Sequence, residues 1–167
     1  MILIEQVKAM KSYKYKHGVT LVEILVVVAI IALLASMAIG IAARIGNQSK
    51  EKGLECTFTL LELALEEYCE STGKFPEQPE KNFTNVLVHS EYLYKELHLI
   101  PESRKILGKI ADSLLKNEYG TAETPAEIYD PWGTVLDYRY VAGDNFPELI
   151  SAGPDKIFDT ADDINNR

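Results

Sequence analysis

The sequence predicts an α+β protein in which a long N-terminal α-helix packs on a small antiparallel β-sheet head, with a helical insertion between helix and sheet. Three observations predict it. Residues 19–43 form a nearly continuous apolar run. Beyond them Leu54, Phe58, Leu61, Leu65 and Tyr68 recur in steps of four and three, which is one face of a helix. Toward the C-terminus Leu136, Tyr138 and Tyr140 alternate with Asp137 and Arg139, the period of a strand. At 167 residues the chain has room for one soluble core and little more.

The apolar run reads VTLVEILVVVAIIALLASMAIGIAA and contains no Lys, Arg, Asp or Pro. As helix it would extend about 37 Å, against a hydrocarbon core of about 30 Å. Lys8, Lys11, Lys14 and Lys16 precede it, and positive flanks stay cytoplasmic. The expectation is one span with the N-terminus inside and the bulk of the chain exported. Residues 1–18 hold four Lys and one Glu, a net of +3, so the remainder carries −11 against −8 for the whole chain. Such an acidic remainder is unsuited to nucleic acid, whose binding relies on Lys and Arg neutralising phosphates. It suits an exposed soluble domain and leaves room for a cation site.

A secretory signal peptide has some of the same ingredients, with Ala35-Ser36-Met37-Ala38 as a small-residue cleavage site. The run continues past that site to Ala43, longer than a signal core. It also contains Glu23, a carboxylate that costs on the order of 2.5–3.5 kcal/mol near the bilayer centre. A signal core has no use for that cost, whereas a charge awaiting a cationic partner does. A single-pass anchor that happens to contain a Glu is the plainer alternative.

The segment His17-Gly18-Val19-Thr20-Leu21-Val22-Glu23, followed by an apolar helix, resembles the leader junction of type IV prepilins and pseudopilins. The resemblance implies a leader over residues 1–18, cleavage between Gly18 and Val19 by a membrane-embedded prepilin peptidase, and methylation of the new N-terminus. It divides the remainder into a transmembrane and assembly helix over 19–43 and a periplasmic head over 44–167. It gives Glu23 a partner, the α-amine of Val19 on a neighbouring subunit, so that the burial cost is relieved only on assembly. Two positions depart from the family pattern. Val19 stands where Phe is commonest, and Gly40 where many members have a helix-kinking Pro.

The helix is expected to continue outward beyond Arg44, with Glu51, Glu55, Glu62, Glu66 and Glu67 off the apolar stripe and Gly73 as its stop. Cys56 and Cys69 both fall in it, about 20 Å apart, too far to form a disulfide. Between residues 75 and 125, Pro76, Pro79 and Pro101 punctuate the chain. Ile106, Ile110, Leu114 and Leu115 predict a helix over 102–117, and a shorter one is expected within Val86–Leu99. His89 and His98 lack metal-ligand spacing and read as structural, and the insertion reads as head packing more than as a partner surface. Residues 134–141 predict a half-buried strand and Pro147–Ser151 a second, joined by a turn at 141–145. A two-stranded hairpin is marginal alone, so a third strand or the long helix must support it.

Asp155, Asp159, Asp162 and Asp163 crowd the last loop. Either they are widely solvated or a hard cation such as calcium relieves their repulsion, since calcium accepts six to eight oxygens in flexible geometry. The spacing does not fit an EF-hand. The segments Asp130-Pro131-Trp132-Gly133, Tyr138-Arg139-Tyr140, Ser151-Ala152-Gly153-Pro154-Asp155 and Asp162-Asp163-Ile164 resemble the C-terminal half of the type II secretion major pseudopilin. That resemblance implies a structural calcium held by Asp155, Asp162 and Asp163, with backbone carbonyls near Ala152 completing the shell. Asp159 is added on proximity. Together the two resemblances cover residues 14–73 and 129–164.

The expected function is that of a structural subunit, not an enzyme. The resemblance implies a type II secretion pseudopilus that polymerises to drive protein export. Its partners would be identical subunits, prepilin peptidase, minor pseudopilins, an inner-membrane assembly platform and, before assembly, membrane lipid. A type IV pilus subunit for adhesion, motility or DNA uptake is the close alternative. Pilins more often close a C-terminal loop with a disulfide, and no Cys follows Cys69. A membrane-anchored enzyme or binding protein is the third class, for which no Ser/His/Asp, Cys/His or HExxH pattern speaks.

Overall fold

The computed structural model describes residues 18–78, 85–119 and 124–167 and, of 39–43, the backbone alone. The leader lysines, Glu5, His17 and Pro79 lie outside the described residues. The chain divides into two compact units, Met1–Ala42 and Ala43–Arg167. Helix α1 (Leu21–Thr72) contributes to both.

In the first unit, Leu21–Ala38 is long and apolar enough to cross a membrane. A helix of a soluble core would hide such side chains, yet none of this span is buried. Ala35 to Ala38, the small-residue stretch of the signal-peptide alternative, is helical. There the Ser36 hydroxyl donates to the Leu33 carbonyl at 2.8 Å. That bond satisfies the one hydroxyl in the middle of the span, as a low-dielectric setting demands.

In the second unit, α1 buries Leu54, Phe58, Leu61, Leu65 and Tyr68, the stripe that the spacing predicts, together with Ala64 and Thr57. The helix stops where expected. Gly73 takes a φ of +81°, a conformation that costs glycine little, and its N–H reaches the Cys69 carbonyl at 2.7 Å. Helix α2 (Val86–Leu99) fills the range in which a helix was expected and buries His89, Ser90, Leu93 and Leu97. Helix α3 (Pro101–Leu107) docks on α1 through the Ser103 hydroxyl, which donates to the Ala64 carbonyl at 2.8 Å.

The helix expected over 102–117 ends at Leu107. Gly108 closes it, donating its N–H to the Arg104 carbonyl at 3.0 Å, and glycine favours a helix less than alanine by about 1 kcal/mol. A 3-10 turn over Asp112–Leu114 follows. Strand β1 (Leu115–Lys116) then pairs antiparallel with β2 (Glu127–Ile128), Leu115 opposite Ile128. Ile110, Leu114 and Leu115 reach the core at helical spacing, but from a turn and a strand. A distant strand supplies the hydrogen bonds that a continued helix would have made.

The main sheet has the order β3-β4-β5, all antiparallel, with β3 at Asp137–Arg139, β4 at Glu148–Ser151 and β5 at Ile164–Asn165. The strand expected over 134–141 is shorter, and Val135 only bridges Tyr129. Its supporting third strand comes from the acidic tail, with Ser151 opposite Ile164. The free edge of β3 is occupied by the Gln78 side chain, whose amide donates to the Tyr138 carbonyl and accepts the Tyr140 N–H at 3.4 Å. A side-chain amide thus caps an edge that would otherwise present unpaired backbone groups.

The half-buried reading of β3 is corrected. Asp137, expected on the wet face, is fully buried. It lies 2.9 Å from His89 Nδ1 and accepts from Arg139 Nε at 2.6 Å. Helix α2 covers that face, and a buried carboxylate is tolerable only with such partners. His89 is therefore structural, as expected. His98 stacks on Tyr94 with centroids 5.5 Å apart. Cys56 and Cys69 are both free.

Candidate functional site

The processing and assembly residues lie at the start of α1. Gly18 and Val19 precede the helix and are exposed, and among the described residues beyond its chain neighbours nothing comes within 4 Å of the place where a Gly18 Cβ would stand. The peptide bond between them joins two exposed residues. Thr20 and Glu23 then hydrogen-bond reciprocally. The Thr20 hydroxyl oxygen accepts the Glu23 N–H at 3.2 Å, and Glu23 Oε2 accepts the Thr20 N–H at 3.4 Å. This is a capping box, worth about 0.5–2 kcal/mol to the helix. The spacing Thr-x-x-Glu before an apolar run signals it in the sequence, a signal that the reading of Glu23 as a charge alone passed over. The carboxylate also sits where the helix dipole favours negative charge. Chemically it is a seated acceptor at the exposed start of the helix, suited to meeting a cation.

The four tail aspartates lie in the second unit, after β4. Two pairs form. Asp162 Oδ2 accepts the Asp155 N–H at 3.1 Å, and Asp163 Oδ2 accepts the Asp159 N–H at 2.8 Å. The Thr160 hydroxyl lies between Asp162 Oδ1 at 2.6 Å and Asp155 Oδ2 at 3.1 Å. These donors hold the Asp162 carboxyl below the usual carboxylate range, the Thr160 hydroxyl first and the Asp155 N–H second. Lys156 and Asp159 have φ of 64° and 65°, left-handed values that a non-glycine residue keeps only when its surroundings enforce them.

Oxygen donors for a cation are present. Asp163 Oδ1 is buried with no hydrogen-bond partner among the described residues. Gly153, at φ +63°, lies so close to Asp162 that a Cβ there would meet the Asp162 carbonyl oxygen at 2.2 Å. Glu51 and Glu55 of α1 line the same cleft of about 360 Å³ as Asp162 and Asp163, and sequence spacing gave no sign of that. Among the described residues, however, no group of three or more His, Cys, Asp or Glu is arranged to hold a metal.

The Asp-Pro-Trp-Gly segment explains how the tail is tied to the rest of the head. Asp130 is buried, and its Oδ1 accepts the N–H groups of Trp132 at 2.9 Å and Thr134 at 2.8 Å. Its Oδ2 accepts the Ser151 hydroxyl at 2.6 Å, and Ser151 Oγ in turn accepts the Gly153 N–H at 3.1 Å. From the same turn Trp132 Nε1 donates to Asn47 Oδ1 at 3.5 Å, and Lys50 Nζ lies 6.0 Å from the indole centroid. The two sequence segments therefore form one hydrogen-bonded unit against α1.

The prokaryotic N-terminal methylation motif matches residues 13–39, a stretch that contains Gly18, Val19, Thr20 and Glu23. No curated protein matches the chain. Among solved structures, the chain is similar to the major pseudopilin from the type 2 secretion system of enterohaemorrhagic Escherichia coli, with 17% identity over 77% of this chain and 87% of that one and a TM-score of 0.37.

Proposed function

We propose that the chain is a subunit of a type II secretion pseudopilus, held in the inner membrane with its N-terminus cytoplasmic until it assembles into a periplasmic fibre. The observation that carries this reading is the exposed junction Gly18-Val19, with Glu23 seated at the start of an unburied apolar helix inside the methylation motif. Prepilin peptidase hydrolyses the Gly18–Val19 bond, leaving a carboxylate on the leader and an α-amine on Val19, which is then methylated. In the fibre that amine meets Glu23 of a neighbouring copy. The pair compensates two charges that lipid would otherwise penalise, and it sets the stagger between subunits.

The Asp130–Ser151 bond favours secretion over a pilus. It joins the two segments in which the resemblance to the major pseudopilin resides, and no cysteine follows Cys69 to close a disulfide loop. A structural calcium is part of the proposal. Asp162 and Asp163 would hold it with backbone carbonyls, and Asp163 Oδ1 is a buried oxygen with no hydrogen-bond partner among the described residues. The ion would neutralise crowded carboxylates and fix the strand-bearing tail, with no part in a reaction.

Glu23→Gln tests the proposal. The variant is expected to insert and to be cleaved normally, yet to fail to polymerise in its native cell, with loss of protein export. Fibres at wild-type abundance from Glu23→Gln would remove the charge pair from the account. Intact export with loss of surface filaments in cells lacking the chain would favour the pilus alternative.

A further inference from the structure

Strand β3 has two edges. Asp137 pairs with Ile150 and Arg139 with Glu148, so alternation turns the N–H and C=O groups of Tyr138 and Tyr140 to the side away from β4. The first part of that outer edge is taken by the chain itself. The Leu136 N–H donates to the Ile128 carbonyl at 2.8 Å, and Val135 bridges Tyr129. Beyond Leu136 the edge meets a side chain. The Gln78 amide donates to the Tyr138 carbonyl and accepts the Tyr140 N–H at 3.4 Å. A carbonyl and the N–H two residues further on are the two groups that one residue of an added parallel strand engages. Gln78 therefore stands in for one residue of a neighbouring strand.

The chain on either side holds Gln78 in place. The buried Tyr138 hydroxyl donates to the Pro76 carbonyl at 2.7 Å. The Phe75 ring meets Tyr140 and Phe146 edge-on, with centroids 5.6 and 5.0 Å apart. Residues 75–78 thus form a strap from the end of α1 across the outer edge of β3. What the strap covers is a segment prone to pairing. Leu136–Val141 reads LDYRYV, with β-favouring aromatic and branched residues, one charge of each sign and neither Pro nor Gly. Val141, just past the amide, is 53% exposed. An edge of this composition, left uncovered, is a template for another chain.

We propose that Gln78 guards the outer edge of β3, and that without it this edge pairs with the same edge of a second copy. A two-fold pairing needs one kind of edge only, because each copy offers the other the same row of groups. The contact involves the head alone, so it does not rest on the fibre reading. It gives the amide a reason to be there. A leucine at 78 could pack beside Phe75, but it would leave the Tyr138 carbonyl and the Tyr140 N–H without partners.

The test compares Gln78→Ala with wild type, as full chains in detergent micelles. Hydrogen exchange reads the edge. The Tyr140 amide is expected to lose protection about two- to tenfold, the worth of one ordinary hydrogen bond, while the Arg139 amide on the β4 side keeps its own. Cross-linking reads the pairing. Val141→Cys is introduced into both chains together with Cys56→Ser and Cys69→Ser, and a short bifunctional thiol reagent is added. Several-fold more linked dimer is expected from the Gln78→Ala chain than from the chain that keeps Gln78. The apolar helix is the same in both, so contacts between spans cancel in the comparison. Equal linking would overturn the guard, and so would unchanged protection at Tyr140. A loss spread evenly over Arg139, Tyr140 and the β4 amides would overturn it too, because Gln78 would then be holding the whole sheet and not its edge.

Discussion

Removing the Asp130 carboxylate should unfasten the C-terminal half of the head. Asp130→Ala deletes three acceptor bonds in one step, leaving the Trp132 N–H, the Thr134 N–H and the Ser151 hydroxyl without their partner. An orphaned buried donor costs about 1–3 kcal/mol. The Thr134 bond is only part-buried, and the Ser151 hydroxyl can rotate. The expected loss is therefore about 3–6 kcal/mol, a large share of the roughly 5–15 kcal/mol that holds a domain together. Asp130→Asn keeps one carbonyl oxygen for the two N–H groups and loses chiefly the charge, so about 1–2 kcal/mol is expected. Urea unfolding of the full chain in micelles reads both variants, because Trp132 is the only tryptophan and sits in the turn that Asp130 organises. Asp130→Ala within about 0.5 kcal/mol of wild type would refute the reasoning, since that is the scale of an ordinary surface change. Equal losses in the two variants would refute the assignment of the difference to charge.

Two further outcomes are expected. Gly153→Ala places a methyl group against the Asp162 carbonyl in a left-handed backbone, costing about 1–2 kcal/mol for conformation and about 1–3 more for crowding, read as a lowered urea midpoint. If the tail holds calcium, chelation by EDTA lowers the thermal midpoint of the head and added calcium restores it. Identical melting with and without EDTA would leave the tail closed by its own hydrogen bonds.

Much of the fold was legible because periodicity reports burial directly. The stripe Leu54, Phe58, Leu61, Leu65 and Tyr68 points inward as a 3.6-residue period requires, and Gly73 ends α1 by the left-handed turn that its residue type permits. Legibility failed where a distant partner decided. Leu114 and Leu115 keep helical spacing, but β2 claims Leu115 for a ladder, and no local window contains that information. Asp137 reads as the wet residue of an alternating strand. It is buried because α2 lays His89 over it, an arrangement fixed by tertiary packing.

The candidate site was legible in its chemistry and less so in its wiring. Gly18, Val19 and Glu23 could be named from local sequence, and the Thr20 partner was there to be read at the capping spacing. The tail aspartates could be listed from sequence, but their pairing is accompanied by left-handed turns at Asp159 and at Lys156, a residue type that rarely adopts one. Glu51 and Glu55 reach the same cleft only because α1 passes beneath the tail.

The mature N-terminus tests the central claim most directly. Mass spectrometry of the chain recovered from its native membrane is expected to show a protein that begins at Val19 and carries one added methyl group on the α-amine. A chain cut after Ala38, or one that retains its leader, would contradict the account.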